Sequence, residues 1–363
     1  MARRRPTIKD IARIAKVSPT AVSMALRDHP RIGKETRKRI LRIAKRENYQ
    51  PSLVARALVS KRSYTIGLIV SNLADPFYPE LAQAIEENSL RLGYNMILSS
   101  TKNDLELEKY CIDLLKSRGV DGIIISSAHI RDPNIEALID EDFPVVLVNR
   151  RITNKPFSER VDYVVLDNFS GAYVLAEHLH RLGHQRIGII TGLLDTSTGV
   201  ERTEGVKKFL KDCGLRLDPR LLTDGGYSSD LAYHAARKLL NVNPRPSAIF
   251  AASDEMALAA REAVLEAGLE IPQDLALVGF DGIDATGYKG VEITTVGQKR
   301  YEMGSMALKI LIDTIEKKTP PMTRQVIMRP DMLIRNSCGY RLYGYKSDKP
   351  PKVTNGAHEA VSR

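Results

Sequence analysis

The chain has 363 residues, 43% of them hydrophobic and 27% charged, with a formal net charge of +10. That is too long for one ordinary domain and has the balance of a folded, soluble protein. No run approaches the ~20 apolar residues of a membrane span, and no apolar core follows the basic start MARRR, so a cytoplasmic rather than secreted protein is expected. The three cysteines, Cys111, Cys213 and Cys338, lie far apart without metal-ligand spacing; they read as reduced thiols, with neither metal nor cofactor implied.

The charge is unevenly placed. Residues 1–63 hold 18 Lys and Arg against 4 Asp and Glu, a balance of +14, which leaves −4 for the remaining 300. A basic head on a mildly acidic body suits a nucleic-acid binder. A basic run can equally be a solvated face, so the head must show a fold that aims the charge.

Thr7 and Asp10 have the spacing of a capping box, with Asp in place of Glu. Ile8, Ile11, Ala12 and Ala15 then recur at helical spacing and predict a first helix over 8–15. Ala15-Lys16-Val17-Ser18 is a tight connector. Ser18 can cap a second helix, and Pro19 suits its first position. Val22, Ala25 and Leu26 point inward there, while Pro19, Thr20, Ser23, Met24 and Arg27 share the outer face. Gly33 precedes a third helix over 34–47, with Ile40, Leu41, Ile43 and Ala44 expected in the core. Two short helices, a tight turn and a bracing third helix predict a helix-turn-helix unit, whose second helix enters the major groove. An ordinary small helical bundle would not explain a small, polar outer face flanked by Arg and Lys. Arg3, Arg4, Arg5, Thr7, Lys34, Arg37 and Arg62 are assigned to phosphates, which position without specifying.

Residues 7–66 closely resemble the start of the lactose-repressor (LacI/GalR) family. The match runs through Thr7-Ile8-Lys9-Asp10-Ile11-Ala12, Val17-Ser18, Ala21-Val22-Ser23, Thr36-Arg37, Asn48-Tyr49, Pro51, Ala55-Arg56-Ala57-Leu58 and Ile66-Gly67. The resemblance implies that Pro19, Thr20, Ser23, Met24 and Arg27 read bases. It also implies that residues 52–59 form a hinge helix in the minor groove, with Ala55 and Arg56 against DNA and paired Leu58 side chains wedging a base step. Members often carry Arg where Met24 stands and Ser where Gly33 stands. Met24 offers only apolar contact, for instance to a thymine methyl.

Beyond the head, β-branched runs alternate with helical stretches. Strands are expected at 66–70, 95–99, 122–126, 145–149 and 161–166, and again at 187–191, 221–224, 248–252 and 275–280. Helices are expected at 79–92, 105–117 and 134–140, then at 170–182, 202–212, 229–240, 255–267 and 303–316. Alternation implies parallel sheets covered on both faces, and two series imply two α/β lobes with a ligand cleft between them. The nucleophile elbow, the phosphate loop, the His-Glu-x-x-His zinc motif and Gly-x-Gly-x-x-Gly are not found. His184 reads as structural, at a helix–strand junction. The Met303 and Met306 stripe reads as packing. Domains are therefore expected at 1–50 (head), 51–63 (hinge and linker) and 64–338 (two-lobed effector-binding and dimerisation domain), followed by a disordered tail over 339–363.

Residues 63–338 likewise resemble the periplasmic-sugar-binding-like core of the same family. The matching segments are Asp75-Pro76-Phe77-Tyr78, Leu182-Gly183-His184, Ser197-Thr198-Gly199-Val200-Glu201-Arg202, Asp254-Glu255-Met256-Ala257 and Val278-Gly279-Phe280-Asp281. The resemblance places effector contacts at Asp75, Phe77, Tyr78, Asn149, Arg150, Thr198, Arg202, Tyr227, Ser253 and Asp281. Their chemistry suits a sugar or polyol: Asp281, Asn149 and Arg202 can pair with hydroxyls, while Tyr227 and Phe77 offer flat faces. A purine-binding member carries a ring-contacting Arg where Thr196 stands here, which points away from a nucleobase. Structural roles compete at several positions: Asp75 as a helix cap, Phe77 and Tyr78 as core, Arg202 in an ion pair, Asp281 as a turn cap. The expected function is a dimeric repressor on a pseudo-palindromic operator, controlled by a small molecule, with a phosphocarrier-protein partner left open. The alternatives are a sugar-binding module without gene control and a two-lobed α/β enzyme.

Overall fold

The computed structural model describes residues 6–26, 29–49, 62–317 and 322–344. The chain divides into two compact units, Met1–Tyr64 and Thr65–Arg363.

In the first unit, α1 (Ile8–Ala15), α2 (Pro19–Leu26) and α3 (Lys34–Arg46) pack around Ile11, Ala12, Ala15, Val22, Ala25 and Ile40. The capping box forms. The Thr7 hydroxyl oxygen accepts from the Asp10 amide at 3.4 Å, and the Asp10 carboxylate accepts from the Thr7 amide at 2.9 Å. Lys16, in the left-handed region at φ 53°, ends α1 and makes the turn tight. The Ser18 hydroxyl accepts from the Ala21 amide at 3.1 Å and opens α2. One core assignment is corrected: Leu41 is 39% exposed. It lies about 100° round the helix from Ile40, so Ile40 and Ala44 take the inward stripe and Leu41 faces out.

The second unit is two-lobed. Lobe 1 is a six-stranded parallel sheet whose strands run, from one edge to the other, β2 (Asn95–Ser100), β1 (Thr65–Val70), β3 (Gly122–Ile125), β4 (Val145–Val148), β5 (Asp162–Leu166) and β11 (Gln325–Met328). Its elements in chain order are β1 (Thr65–Val70), α4 (Phe77–Arg91), β2 (Asn95–Ser100), α5 (Leu105–Ser117), β3 (Gly122–Ile125), α6 (Pro133–Asp140), β4 (Val145–Val148), α7 (Phe157–Arg160) and β5 (Asp162–Leu166). β1, β3 and β4 are buried almost end to end, as central strands covered on both faces must be.

The chain then enters lobe 2 through α8 (Asn168–Arg181), β6 (Ile187–Thr191), α9 (Ser197–Asp212), β7 (Leu222–Asp224), α10 (Ser229–Leu240), β8 (Ala248–Ala251), α11 (Asp254–Glu266) and β9 (Ala276–Val278). Its parallel sheet has the order β7-β6-β8-β9. β10 (Thr295–Gly297) extends that lobe. α12 (Arg300–Ile315) returns to lobe 1, packing on α4 closely enough that a Cβ on Gly304 would sit 2.8 Å from the Leu81 carbonyl oxygen. β11 (Gln325–Met328) pairs with β5, and β12 (Asp331–Leu333) crosses back to pair with β10.

Order continues past Cys338, where the sequence reading began a disordered tail. Gly339, at φ 80°, turns the chain into a single helical turn, α13 (Tyr340–Tyr343), and the Tyr340 ring lies 6.3 Å from His178. The remainder of that segment lies outside the described residues. His184 sits at the α8–β6 junction, its Nδ1 3.1 Å from the Ser247 hydroxyl. Cys111, Cys213 and Cys338 are free thiols. Among the described residues, no helix is long and apolar enough to cross a membrane.

Candidate functional site

Each lobe begins with the strand order 2-1-3-4, so each has its topological switch beside its first strand. Ligand residues of open α/β sheets gather at the carboxyl ends of the strands near that switch. Asp75 follows β1, and Phe77 and Tyr78 open α4. Asn149 and Arg150 follow β4. In lobe 2, Thr198 and Arg202 occupy the first turns of α9, Tyr227 follows β7, and Asp281 follows β9. These nine residues line one cleft between the lobes, closed down to a cavity of about 20 Å3, which is room for roughly one water. Ser253, the tenth expected contact, is not in the lining. Its hydroxyl accepts from the Met256 amide at 3.2 Å and caps α11.

Arg202 is the most constrained side chain of the site. It is 2% exposed, pairs with Asp281 at 3.0 Å, donates from Nε to Asn168 Oδ1 at 2.9 Å and from Nη1 to the Ala252 carbonyl at 2.6 Å. Its guanidinium also lies 3.9 Å from the Phe280 ring centre. The ion-pair role that competed with ligand binding at Arg202 is therefore present, inside the lining itself. Asp281 accepts a second hydrogen bond from Gln298 Nε2 at 2.7 Å. Burial pushes its carboxyl above the usual range, against the pull of Arg202.

Asp75 accepts from the Phe77 amide at 2.9 Å, so it orders the start of α4 while facing the cleft. Burial, and then the nearby Asp281 charge, push its carboxyl up to about 7. Tyr78 is buried, its hydroxyl 2.6 Å from that of Ser71, while its neighbour Phe77 packs edge-on to it. The Tyr227 hydroxyl donates to Thr198 at 2.9 Å. Its ring passes so close to Gly192 that a Cβ there would lie 2.2 Å from it. Arg150 lies across that ring from the other lobe, 5.3 Å from its centre. Asn149, Tyr227 and Asp281 have φ of 67°, 53° and 121°. Non-glycine residues adopt such backbones at a cost that packed surroundings must offset, and they cluster at functional sites.

Further bonds tie the lobes together beside the cleft. The Arg151 amide donates to the Ser197 hydroxyl at 3.0 Å, and its guanidinium pairs with Glu201 at 2.8 Å. His129 Nδ1 lies 3.1 Å from the Asp195 carboxylate, and the Ile130 amide donates to the Asp195 carbonyl at 2.8 Å. Asn168, Gln298 and Asn103 were not anticipated. No motif carries them, and only their partners Arg202, Asp281 and Arg150 give them a role. Thr196 caps α9, accepting from the Gly199 amide at 3.2 Å.

In the head, Pro19 and Thr20 are exposed at the start of α2, and Ser23 and Met24 are partly buried one turn on. Lys34 is exposed at the start of α3. Arg37 Nε donates to the Ala25 carbonyl at 3.3 Å, fastening α3 to the end of α2, and Thr7 is engaged in its capping box. Arg62 lies among the described residues. Arg3, Arg4, Arg5, Arg27, Ala55, Arg56 and Leu58 lie outside them.

Residues 63–335 match a family described as periplasmic binding proteins and the sugar binding domain of the LacI family, and residues 7–52 match the bacterial regulatory proteins of the lacI family. The chain belongs to the LacI family. Curated LacI-type relatives include the HTH-type transcriptional repressor PurR of Histophilus somni, 33% identical over 91% of this chain and 98% of the relative. The PurR of Pasteurella multocida is 33% identical over 93% and 99%. Among solved structures, a complex of the transcriptional regulator CelR with cellobiose is 29% identical with a TM-score of 0.70, covering 92% of this chain and all of that one. The lac repressor dimer bound to operator and an anti-inducer shares the fold at a TM-score of 0.82 and 23% identity, over 92% and 99% of the two chains. This LacI-family chain is thus a ligand-controlled, DNA-binding transcriptional repressor. Its relatives are repressors and not enzymes, which removes the enzyme and the gene-independent binding module as readings.

Proposed function

We propose that this repressor acts in the cytoplasm as a homodimer on a pseudo-palindromic operator, and that its effector is a sugar held between the lobes. The observation that carries the effector reading is the convergence of nine residues, from six separate strand ends and helix starts, on one cleft. Carboxylates, an amide, guanidiniums and two flat rings are the equipment for a polyhydroxylated ring. The complex of the similar regulator CelR with cellobiose supports the class. Pro19, Thr20, Ser23, Met24 and Arg27 are the proposed base readers, and Ala55, Arg56 and Leu58 the proposed minor-groove hinge. Arg3, Arg4, Arg5, Thr7, Lys34, Arg37 and Arg62 are the proposed phosphate contacts.

The test is operator selection from random DNA, followed by binding measured across salt concentrations. Selected sites should be two-fold related. The log–log salt slope should be steep, about −0.9 for each phosphate neutralised. Leu58→Ala should weaken operator binding by a few kcal/mol, the scale of a base-step wedge, while leaving effector binding unchanged. Selected sites without two-fold symmetry would overturn the dimer, and full operator affinity in Leu58→Ala would overturn the wedge.

A further inference from the structure

Among its described residues, the second unit buries three arginines almost completely: Arg150 at 3% exposure, Arg202 at 2% and Arg300 at 5%. Two of them carry a carboxylate partner, Arg202 with Asp281 and Arg300 with Glu80. Arg150 does not. Its one side-chain hydrogen bond runs from Nη1 to the neutral Asn103 side-chain oxygen at 2.7 Å, its Nε is buried without a partner, and its guanidinium lies over the Tyr227 ring, 5.3 Å from the ring centre. The Asp75 carboxyl of the same lining feels the Arg150 charge but forms no ion pair with it, and burial and Asp281 push that carboxyl up to about 7. A buried guanidinium without a bonded anion is costly, and proteins that keep one supply an anion to it. The adjacent Asn149 is buried as well, and its side-chain oxygen has no partner either. Both residues line the cleft.

We propose, resting on the reading of this cleft as the effector site, that the effector is a sugar acid, an aldonate or uronate, whose carboxylate pairs with Arg150. The hydroxyls of such a molecule find acceptors in Asn149 Oδ1 and in Asp75 and Asp281, and its carbon skeleton finds the faces of Phe77 and Tyr227. A carboxylate matches a planar guanidinium in a two-point geometry. Bound in the plane of the guanidinium, it leaves the Arg150 face against Tyr227 and neutralises the cation without breaking that contact between the lobes. A phosphate fits less well. Arg202 is already satisfied, so one guanidinium would face a dianion in a lining that also holds Asp75 and Asp281. Asp75, pushed up to about 7 by burial and by Asp281, is ready to share a proton with one carboxylate.

The experiment is calorimetric titration of the full-length protein with gluconate, glucuronate and galacturonate. Glucose, galactose and glucose 6-phosphate are run beside them, on the unaltered chain and on Arg150→Gln, Arg150→Lys and Asp281→Asn. Thermal unfolding of each ligand-free variant confirms that it is folded. At least one acid should bind at least about tenfold more tightly than its neutral parent. Arg150→Gln should erase that preference, and Arg150→Lys should keep part of it, because it keeps the charge and loses the fork. A neutral sugar binding as tightly as its acid, with binding lost in Asp281→Asn, overturns the acid while leaving the cleft as the effector site. Tighter binding of the sugar phosphate, or binding by none of the acids, also overturns it. Acid binding indifferent to both Arg150→Gln and Asp281→Asn overturns the acid and the cleft reading together.

Discussion

The Arg202–Asp281 pair shows how a proposed effector contact can also hold up the fold. Both side chains are buried, and Asn168, Ala252 and Gln298 complete their hydrogen bonds. Removing one partner leaves the other charge stranded, at a cost of about 3–5 kcal/mol. Arg202→Met should therefore lower the denaturant stability of the second unit by about 3 kcal/mol, besides abolishing effector response. Asp281→Asn added to Arg202→Met should recover part of that loss, because Asn can still accept from Gln298 and leaves no unpaired carboxylate. Additive costs in the double variant would show that the pair is not coupled. A loss of effector response in either variant thus becomes evidence about the site only when stability is measured beside it. The proposed contacts came from the family resemblance, and four of them, Asp75, Asn149, Tyr227 and Asp281, also follow readable strands, at whose carboxyl ends such sites collect. Ser253 follows one as well, and its hydroxyl turned to cap α11 instead. Asn168 and Gln298 were illegible because their task is defined by a partner over 15 residues away or more.

At the scale of elements, the sequence is most readable where local physics decides. The start of α1 is a capping box visible in Thr7 and Asp10, and the structure forms it. Thr7→Ala should remove a cap from a head with a small core, costing about 1 kcal/mol. The expected readout is a lower melting temperature of the head transition and weaker operator binding, whereas Thr7→Ser should retain both. An unchanged melting temperature in Thr7→Ala would mean that packing of Ile11 and Ala15 alone fixes that end. The strands buried on both faces, β1, β3, β4, β6 and β8, announce themselves as unbroken apolar runs. The short strands β10, β11 and β12 do not. They span only three or four residues, β11 and β12 with little burial, and β11 takes its place beside β5 across some 160 residues of chain. Helix α9 begins at Ser197, five residues before the start expected from periodicity, because the Thr196 cap draws polar Ser197 and Thr198 into the first turn. That early start is what puts Thr198 against Tyr227.

For the molecule as a whole, the question is how a ligand between two lobes reaches an operator bound by the head. A ligand shifts an equilibrium only by its differential affinity for two arrangements, and the shift must be reciprocal. The chain offers a continuous polar path from the cleft to the contact between lobes: Asp281 to Arg202, Arg202 to Asn168, Asn168 Nδ2 to Glu201 at 3.4 Å, and Glu201 to Arg151 of the opposite lobe. Glu201 is the member that faces both ways. Glu201→Gln keeps the shape, weakens the pair with Arg151 and leaves the effector lining intact, so it should loosen the closed arrangement without removing a ligand contact. In the unaltered protein, the factor by which effector changes operator affinity should equal the factor by which operator changes effector affinity. In Glu201→Gln both factors should fall together toward one, by about 1 kcal/mol of coupling. Measuring the two dissociation constants, each with and without the other ligand at saturation, gives both factors from one set of titrations. Factors that stay at their original value would take Glu201 out of the path and leave the direct cleft contacts, Arg150 with Tyr227 above all, as what the effector uses to set the arrangement of the lobes.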